Sequence, residues 1–91
     1  MASKTLVQLF NALSDDTRLK IVVALSRQES DTSCQILRKR FNLSQPAMSH
    51  HFKVLRQSRV IKVKKIGRHV YYSLNRERLS QLQKFINDLN V

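Results

Sequence analysis

The sequence predicts a mainly α-helical domain completed by one small β-hairpin, in the order α-α-α-α-β-β-α. Three observations carry this prediction. Apolar residues recur at three- and four-residue steps along most of the chain, the spacing of a single buried helix face. That rhythm gives way to two-residue alternation once, on the way from Val60 to Leu74, as a half-buried strand pair requires. One Gly and one Pro in 91 residues leave little chain for irregular loops. A chain of this length suffices for one domain, residues 1–91, around one modest core.

Leu6, Leu9, Phe10 and Leu13 fall at helical spacing and define the first helix. Ser14 is expected to cap the second, with Asp15 and Asp16 in its first turn, where negative charge suits the helix dipole. This helix carries Leu19, Ile21, Val22, Val23 and Leu25 on a broad apolar face and is expected to end near Gln28. Asp31 or Thr32 can cap a third helix through Phe41, with Ile36 and Leu37 inward and Arg38, Lys39 and Arg40 outward. Asn42 tolerates the left-handed conformation that closes a helix, and Leu43 would plug the turn. Ser44 then caps a fourth helix running to about Ser58, with Pro46 in the first turn, where a missing N–H costs nothing. Met48, Phe52 and Leu55 face its core side, with Ala47 partly so. Beyond Val60, the pair Gly67-Arg68 makes a hairpin tip, and Val70, Tyr72 and Leu74 alternate with Tyr71 and Ser73. Asn75 can cap a last helix striped by Leu79, Leu82, Ile86 and Leu89, with Phe85 beside them. Two helices joined by a tight turn and followed by a hairpin form a winged helix-turn-helix, here with an extra helix at each end.

Charge narrows the partner. The net charge is +11 and the isoelectric point about 10.8, which favours a polyanion: nucleic acid first, an anionic membrane surface second. No acidic residue lies between Asp31 and Glu77, a gap holding eleven Lys and Arg. No apolar run approaches the roughly 20 residues a membrane-spanning helix needs. Met1-Ala2-Ser3-Lys4 does not begin a secretory signal, and a single cysteine excludes an internal disulfide, so a reducing cytoplasm is expected. One Cys, three His and six acids, mostly at capping or surface positions, assemble no catalytic constellation, and an enzyme is not expected.

Double-stranded DNA is therefore the expected partner. On the fourth helix, Ser44, Gln45, Ala47, Ser49, His50 and Lys53 are placed to meet a major groove, and Gln can bind adenine through two hydrogen bonds. In the hairpin, Lys62, Lys64, Lys65, Arg68 and His69 can track phosphates, with Arg68 at the tip able to enter a minor groove. Arg38, Lys39, Arg40 and Arg56 are candidate backbone contacts, against the plainer reading of a solvated charged face. His51 points about 100° away from His50 and is read as structural, and the pair has poor spacing for a metal. Cys34 either packs as a small apolar residue or acts as a redox sensor near a helix start.

Three separated blocks resemble the ArsR/SmtB family of bacterial repressors. They are Ala12-Leu13-Ser14-Asp15 with Thr17-Arg18-Leu19 and Ile21, then Leu43 through Arg56, and Gly67 through Leu74. The resemblance implies a dimeric winged-helix repressor that leaves its operator when an inducer or chemical change arrives. Metal-sensing members often carry two cysteines one residue apart at the start of the third helix, where this chain has Ser33 and Gln35 around Cys34. Others use Asp and His on the last helix, and from Asn75 to Val91 there is no His or Cys. No metal site of either kind, and no cofactor, is expected; no residue pattern points to a particular inducer. The stripes Leu6/Leu9/Phe10/Leu13 and Leu79/Leu82/Ile86/Leu89 are expected to pair two chains about a two-fold axis. The alternatives are a charge-driven architectural protein without sequence preference and a module that meets an acidic protein.

Overall fold

The computed structural model describes residues 3–27 and 32–89. Within them lie α1 (Ser3–Leu13), α2 (Asp16–Ser26), β1 (Thr32–Ser33), α3 (Cys34–Phe41), α4 (Gln45–Gln57), β2 (Ile61–Ile66), β3 (His69–Leu74) and α5 (Arg76–Asp88). The expected order is right except for β1. This two-residue strand pairs antiparallel with β3 (Thr32 opposite Tyr72, Ser33 opposite Tyr71), so β3 lies between β1 and β2 in a three-stranded sheet.

Local chemistry sets the helix ends, in places one residue from where the sequence suggests. Asp15, not Ser14, caps α2: its side chain accepts the backbone N–H of Arg18. Ser14 instead donates its hydroxyl to the Asn11 carbonyl at 2.7 Å, closing α1. α2 ends at Ser26 with Arg27 as its cap; the expected end at Gln28, like the candidate cap Asp31, lies outside the described residues. Ser33, the second residue of β1, caps α3 by accepting from the Ile36 N–H, in place of the expected Thr32. Ser44 caps α4 through the Ala47 N–H with Pro46 in the first turn, and Asn75 caps α5 through the Arg78 N–H, both as expected.

Two of the helix exits use left-handed residues other than glycine. After α3, Asn42 (φ 51°) donates its N–H to the Lys39 carbonyl and Leu43 donates to that of Arg38. After α4, Arg59 (φ 64°) donates to Arg56 and Val60 to Leu55. Each pair satisfies carbonyls that a helix end leaves open, the paired-bond arrangement of a Schellman motif. The first makes the tight turn between α3 and α4; the second turns the chain from α4 straight into β2.

The core gathers one face from every helix: Leu9 and Ala12, Ile21 and Leu25, Leu37, Met48 with Phe52 and Leu55, and Leu82, closed by Val60, Ile61, Tyr72 and Leu74. Phe52 stacks on Tyr72 with ring centroids 4.2 Å apart, so the inner face of α4 lies against the central strand. The Asn75 N–H bonds the Val60 carbonyl at 2.9 Å, tying the exit of β3 to the entry of β2.

Several apolar residues lie elsewhere than expected. Ile36 is 59% exposed, while its neighbour Leu37 takes the inward position. On α2, Ile21 and Leu25 are buried but Leu19 and Val23 face outward. Leu9 and Leu82, expected on a surface between two chains, are inside one chain, Leu82 at only 7% exposure. Leu6, Leu13 and Leu79 are half-buried against the same core. Phe10, Ile86 and Leu89 remain exposed, joined by Val7, and Phe10 meets Phe85 edge-on across α1 and α5.

A side-chain-bearing residue held left-handed costs roughly 1–2 kcal/mol that glycine avoids. Arg59→Gly should therefore raise stability, by about 1 kcal/mol once the extra freedom of glycine in the unfolded chain is set against the relieved strain. A urea denaturation midpoint that rises at unchanged slope would meet this expectation.

Candidate nucleic-acid interface

α4 is divided lengthwise by its own sequence. Met48, Phe52 and Leu55 recur at steps of three and four and are buried, so the intervening residues must face out. Gln45, Ser49, His50, Lys53 and Arg56 are all exposed; Ala47 is half-buried, and Ser44 is exposed with its hydroxyl spent on the cap. The first two turns thus present an amide, a hydroxyl and an imidazole in succession.

The wing is set by register. Gly67 (φ 59°) supplies the left-handed residue its two-residue tip requires, and Ile66 pairs with His69 across it. Alternation then sorts the lysines. Lys65 opposes Val70 and shares the face of Tyr72, the side on which α4 packs. Lys62 and Lys64 oppose Ser73 and Tyr71 and lie on the opposite face. The hairpin cations do not form one patch with α4: Lys62 and Lys64 stand apart from it, whereas the tip does not. Arg68 and His69 border, with Gln45, Arg38 and the start of α3 (Ser33, Cys34, Gln35), a single cavity of about 230 Å³. The leading residue of α4 and the wing tip therefore meet at one concavity.

Arg38, Lys39 and Arg40 are exposed on the last turn of α3, where positive charge also suits the helix dipole. Among the described residues one Lys or Arg pairs with a carboxylate, Lys20 with Asp16 at 2.9 Å, and His51 Nδ1 lies 3.7 Å from the Asp15 carboxylate. None of the eleven cations between Thr32 and Arg76 has a carboxylate partner among them. Their charge is left facing solvent around α3, α4 and the wing.

Cys34 is half-buried at the start of α3, its thiol donating to the Met48 sulfur at 3.8 Å. Burial raises the Tyr72 hydroxyl above its ordinary value, with neighbouring Cys34 adding to the shift. Among the described residues no three His, Cys, Asp or Glu side chains come together as metal ligands, and no helix is long and apolar enough to cross a membrane. His51 is half-buried beside Asp15 and Arg18. In the sequence Arg18 stands only within Thr17-Arg18-Leu19, and the spacing Asp15-x-x-Arg18 marks a helix start, not a contact with His51.

A helix-turn-helix whose second helix leads with polar side chains, followed at once by a cationic hairpin packed on its inner face, is the winged architecture of DNA-binding transcriptional regulators. The family described as "Bacterial regulatory protein, arsR family" matches residues 15–63, more than half of the chain, and the chain belongs to that family. It is 35% identical to the Transcriptional repressor SmtB homolog of Synechocystis over 94% of its own length, and spans 64% of that protein. It is 36% identical to the Transcriptional repressor SdpR of Bacillus subtilis, covering 87% of this chain and 90% of that one. Among solved structures, the ArsR-like Transcriptional Regulator from Rhodococcus sp. RHA1 superposes with a TM-score of 0.83 at 26% identity, over 97% of this chain and 81% of that one. These are transcriptional regulators, not enzymes.

Asp15 offers a test of how α2 is anchored beneath this surface. The backbone N–H of Arg18 holds its carboxyl below the ordinary value of 3.8; burial opposes the shift, and the charges of Arg18 and His51 assist it. A depressed carboxylate contributes stability that is present above the unfolded value and lost as pH falls through the folded one. Asp15→Asn keeps a capping oxygen but loses the charge. Its melting temperature should lie below wild type at neutral pH, and the gap should close as the pH falls below about 3.8.

Proposed function

We propose that this chain is a homodimeric repressor that reads a pseudo-palindromic operator through the first two turns of α4. The observation that carries the reading is the exposed series Gln45, Ser49 and His50 beside a wing tip of Arg68 and His69, in a region of cations without carboxylate partners among the described residues. Gln45, Ser49 and His50 contact base edges in the major groove, with Ser44, Ala47 and Lys53 at its margin. Arg68 and His69 reach the neighbouring minor groove or its phosphates. Arg38, Lys39, Arg40, Arg56 and Lys65 bind the backbone, and Lys62 and Lys64 contribute long-range attraction from the far face of the wing. Two relatives named as transcriptional repressors support the sign of the regulation.

The second copy docks on the exposed part of α1 and α5: Phe10, Ile86 and Leu89, flanked by Val7 and the half-buried Leu6, Leu13 and Leu79. Leaving a large apolar side chain in water forgoes about 1.5–3 kcal/mol, which a partner surface recovers. A two-fold dimer would space the recognition helices about 34–36 Å apart, one turn of DNA. The seated dimer blocks polymerase, and release needs an inducer that favours the unbound shape. The inducer is not a soft metal bound in the familiar family positions. Ser33 and Gln35 supply no thiolate, and the sulfur beside Cys34 is the weak thioether of Met48.

Selection of bound duplexes from a random library, at near-physiological salt, should enrich an inverted repeat with half-sites one helical turn apart. A pool that binds without a motif would replace this reading with a charge-driven architectural role. On the enriched duplex, Gln45→Ala should flatten preference at one base pair per half-site by about 1–3 kcal/mol. Arg68→Ala should weaken all sequences alike and lower the salt slope by roughly one. Because Leu82 belongs to the core, the dimer is tested at Ile86, which is 52% exposed. Ile86→Glu should remain folded and sediment as a monomer at micromolar concentration; a mutant that stays dimeric would remove the proposed interface.

A further inference from the structure

One side chain ties the recognition helix to the rest of the molecule. Arg18, in the first turn of α2, spreads its guanidinium over two neighbouring helices. Its Nε donates to the Ala12 carbonyl at 2.7 Å and its Nη2 to the Asn11 carbonyl at 3.3 Å. Both acceptors belong to the last turn of α1, where carbonyls lack partners within the helix. Its Nη1 lies 3.4 Å from Nδ1 of His51 on α4. Asp15 backs the cluster: Oδ2 accepts the Arg18 backbone N–H at 3.0 Å and lies 3.7 Å from the same imidazole nitrogen. One planar fork thus joins the end of α1, the start of α2 and the middle of α4.

The apolar face of α4 decides which residues point outward, but apolar contact is non-directional and leaves the fine rotation about the helix axis to polar contacts. A hydrogen bond is directional, and the one from Arg18 falls beside His50 and two residues beyond Ser49. We infer that Arg18 is a positioning residue for DNA recognition, fixing through His51 the rotation of α4 relative to α1. The inference rests on the dimeric, DNA-reading role proposed above. Since α1 carries Phe10 of the proposed dimer surface, the same link sets how far apart two recognition helices stand. The role belongs to the fork and not to the charge. A lysine has three donors on one rotatable nitrogen and cannot span acceptors on two helices as a guanidinium does.

The test is a double-mutant cycle on the full chain, read as the dissociation constant for the enriched duplex and for a scrambled one. The same buffer is used for every variant. Arg18→Lys and His51→Leu should each weaken binding to the enriched duplex by about tenfold, and the double variant by no more than either alone. His51→Gln returns an oxygen that can accept from Arg18 and should bind within about twofold of wild type. Stoichiometric titration with excess duplex counts the binding-competent fraction separately from affinity. A role in folding alone would lower that fraction and leave the dissociation constant unchanged, which would overturn the inference. Additive losses, or Arg18→Lys binding as wild type does, would overturn it equally. If wild type fails to distinguish the two duplexes, sequence-specific reading fails; the cycle on the scrambled duplex still decides whether Arg18 and His51 are coupled in binding.

Discussion

The packing of α4 against β3, centred on the Phe52–Tyr72 stack, is the contact on which the rest of the structure depends. It fixes two things at once. Burial of Met48, Phe52 and Leu55 leaves no other direction for Gln45, Ser49 and His50 than outward. Pinning Tyr72 in the middle of the central strand fixes the register of the wing, whose tip then borders Gln45. The left-handed turns at Asn42 and Arg59 bring the chain into and out of α4 through connections of three residues each. The candidate surface, built from one helix and one hairpin, is therefore held by a few apolar contacts and two tight turns.

Charge is distributed to match. The described acids sit on α2 and α5 (Asp15, Asp16, Glu77, Asp88), three of them at a helix cap or first turn, where they serve the helix dipole. Among the described residues the cations of α3, α4 and the wing have no carboxylate partner, and like charges held together on a small domain repel one another. A bound polyanion would relieve that repulsion, and the cations would release the counterions condensed on it.

Much of this was legible in the sequence, because helical periodicity and capping residues act locally. Seven of the eight elements, the caps Ser44 and Asn75, the left-handed Asn42 and the tip at Gly67 follow from residue types and spacing. What escaped was tertiary. A two-residue strand such as β1 is too short to show a period, and its second residue, Ser33, serves as the cap of α3. Ile36 and Leu37 are adjacent on a helix and point about 100° apart, so only one could enter the core, and the packing chose Leu37. Apolar stripes on α1 and α5 announce burial without saying by what; Leu9 and Leu82 are covered by their own chain. For the candidate site, exposure along α4 was readable, but the parting of Lys62 and Lys64 from Lys65 required the strand register. The reach of Arg18 to His51, 33 residues away, had no local signature at all.

The most direct test of the proposed surface is an amide chemical-shift titration of the labelled chain with its enriched duplex. The proposed interface predicts that the largest changes fall on Gln45 through His50 and on the wing from Lys65 to His69, with little change at Leu19, Val23 and Ile36, which are exposed but outside it. Changes centred on α2, or confined to α1 and α5, would contradict it and move DNA to another face of the molecule.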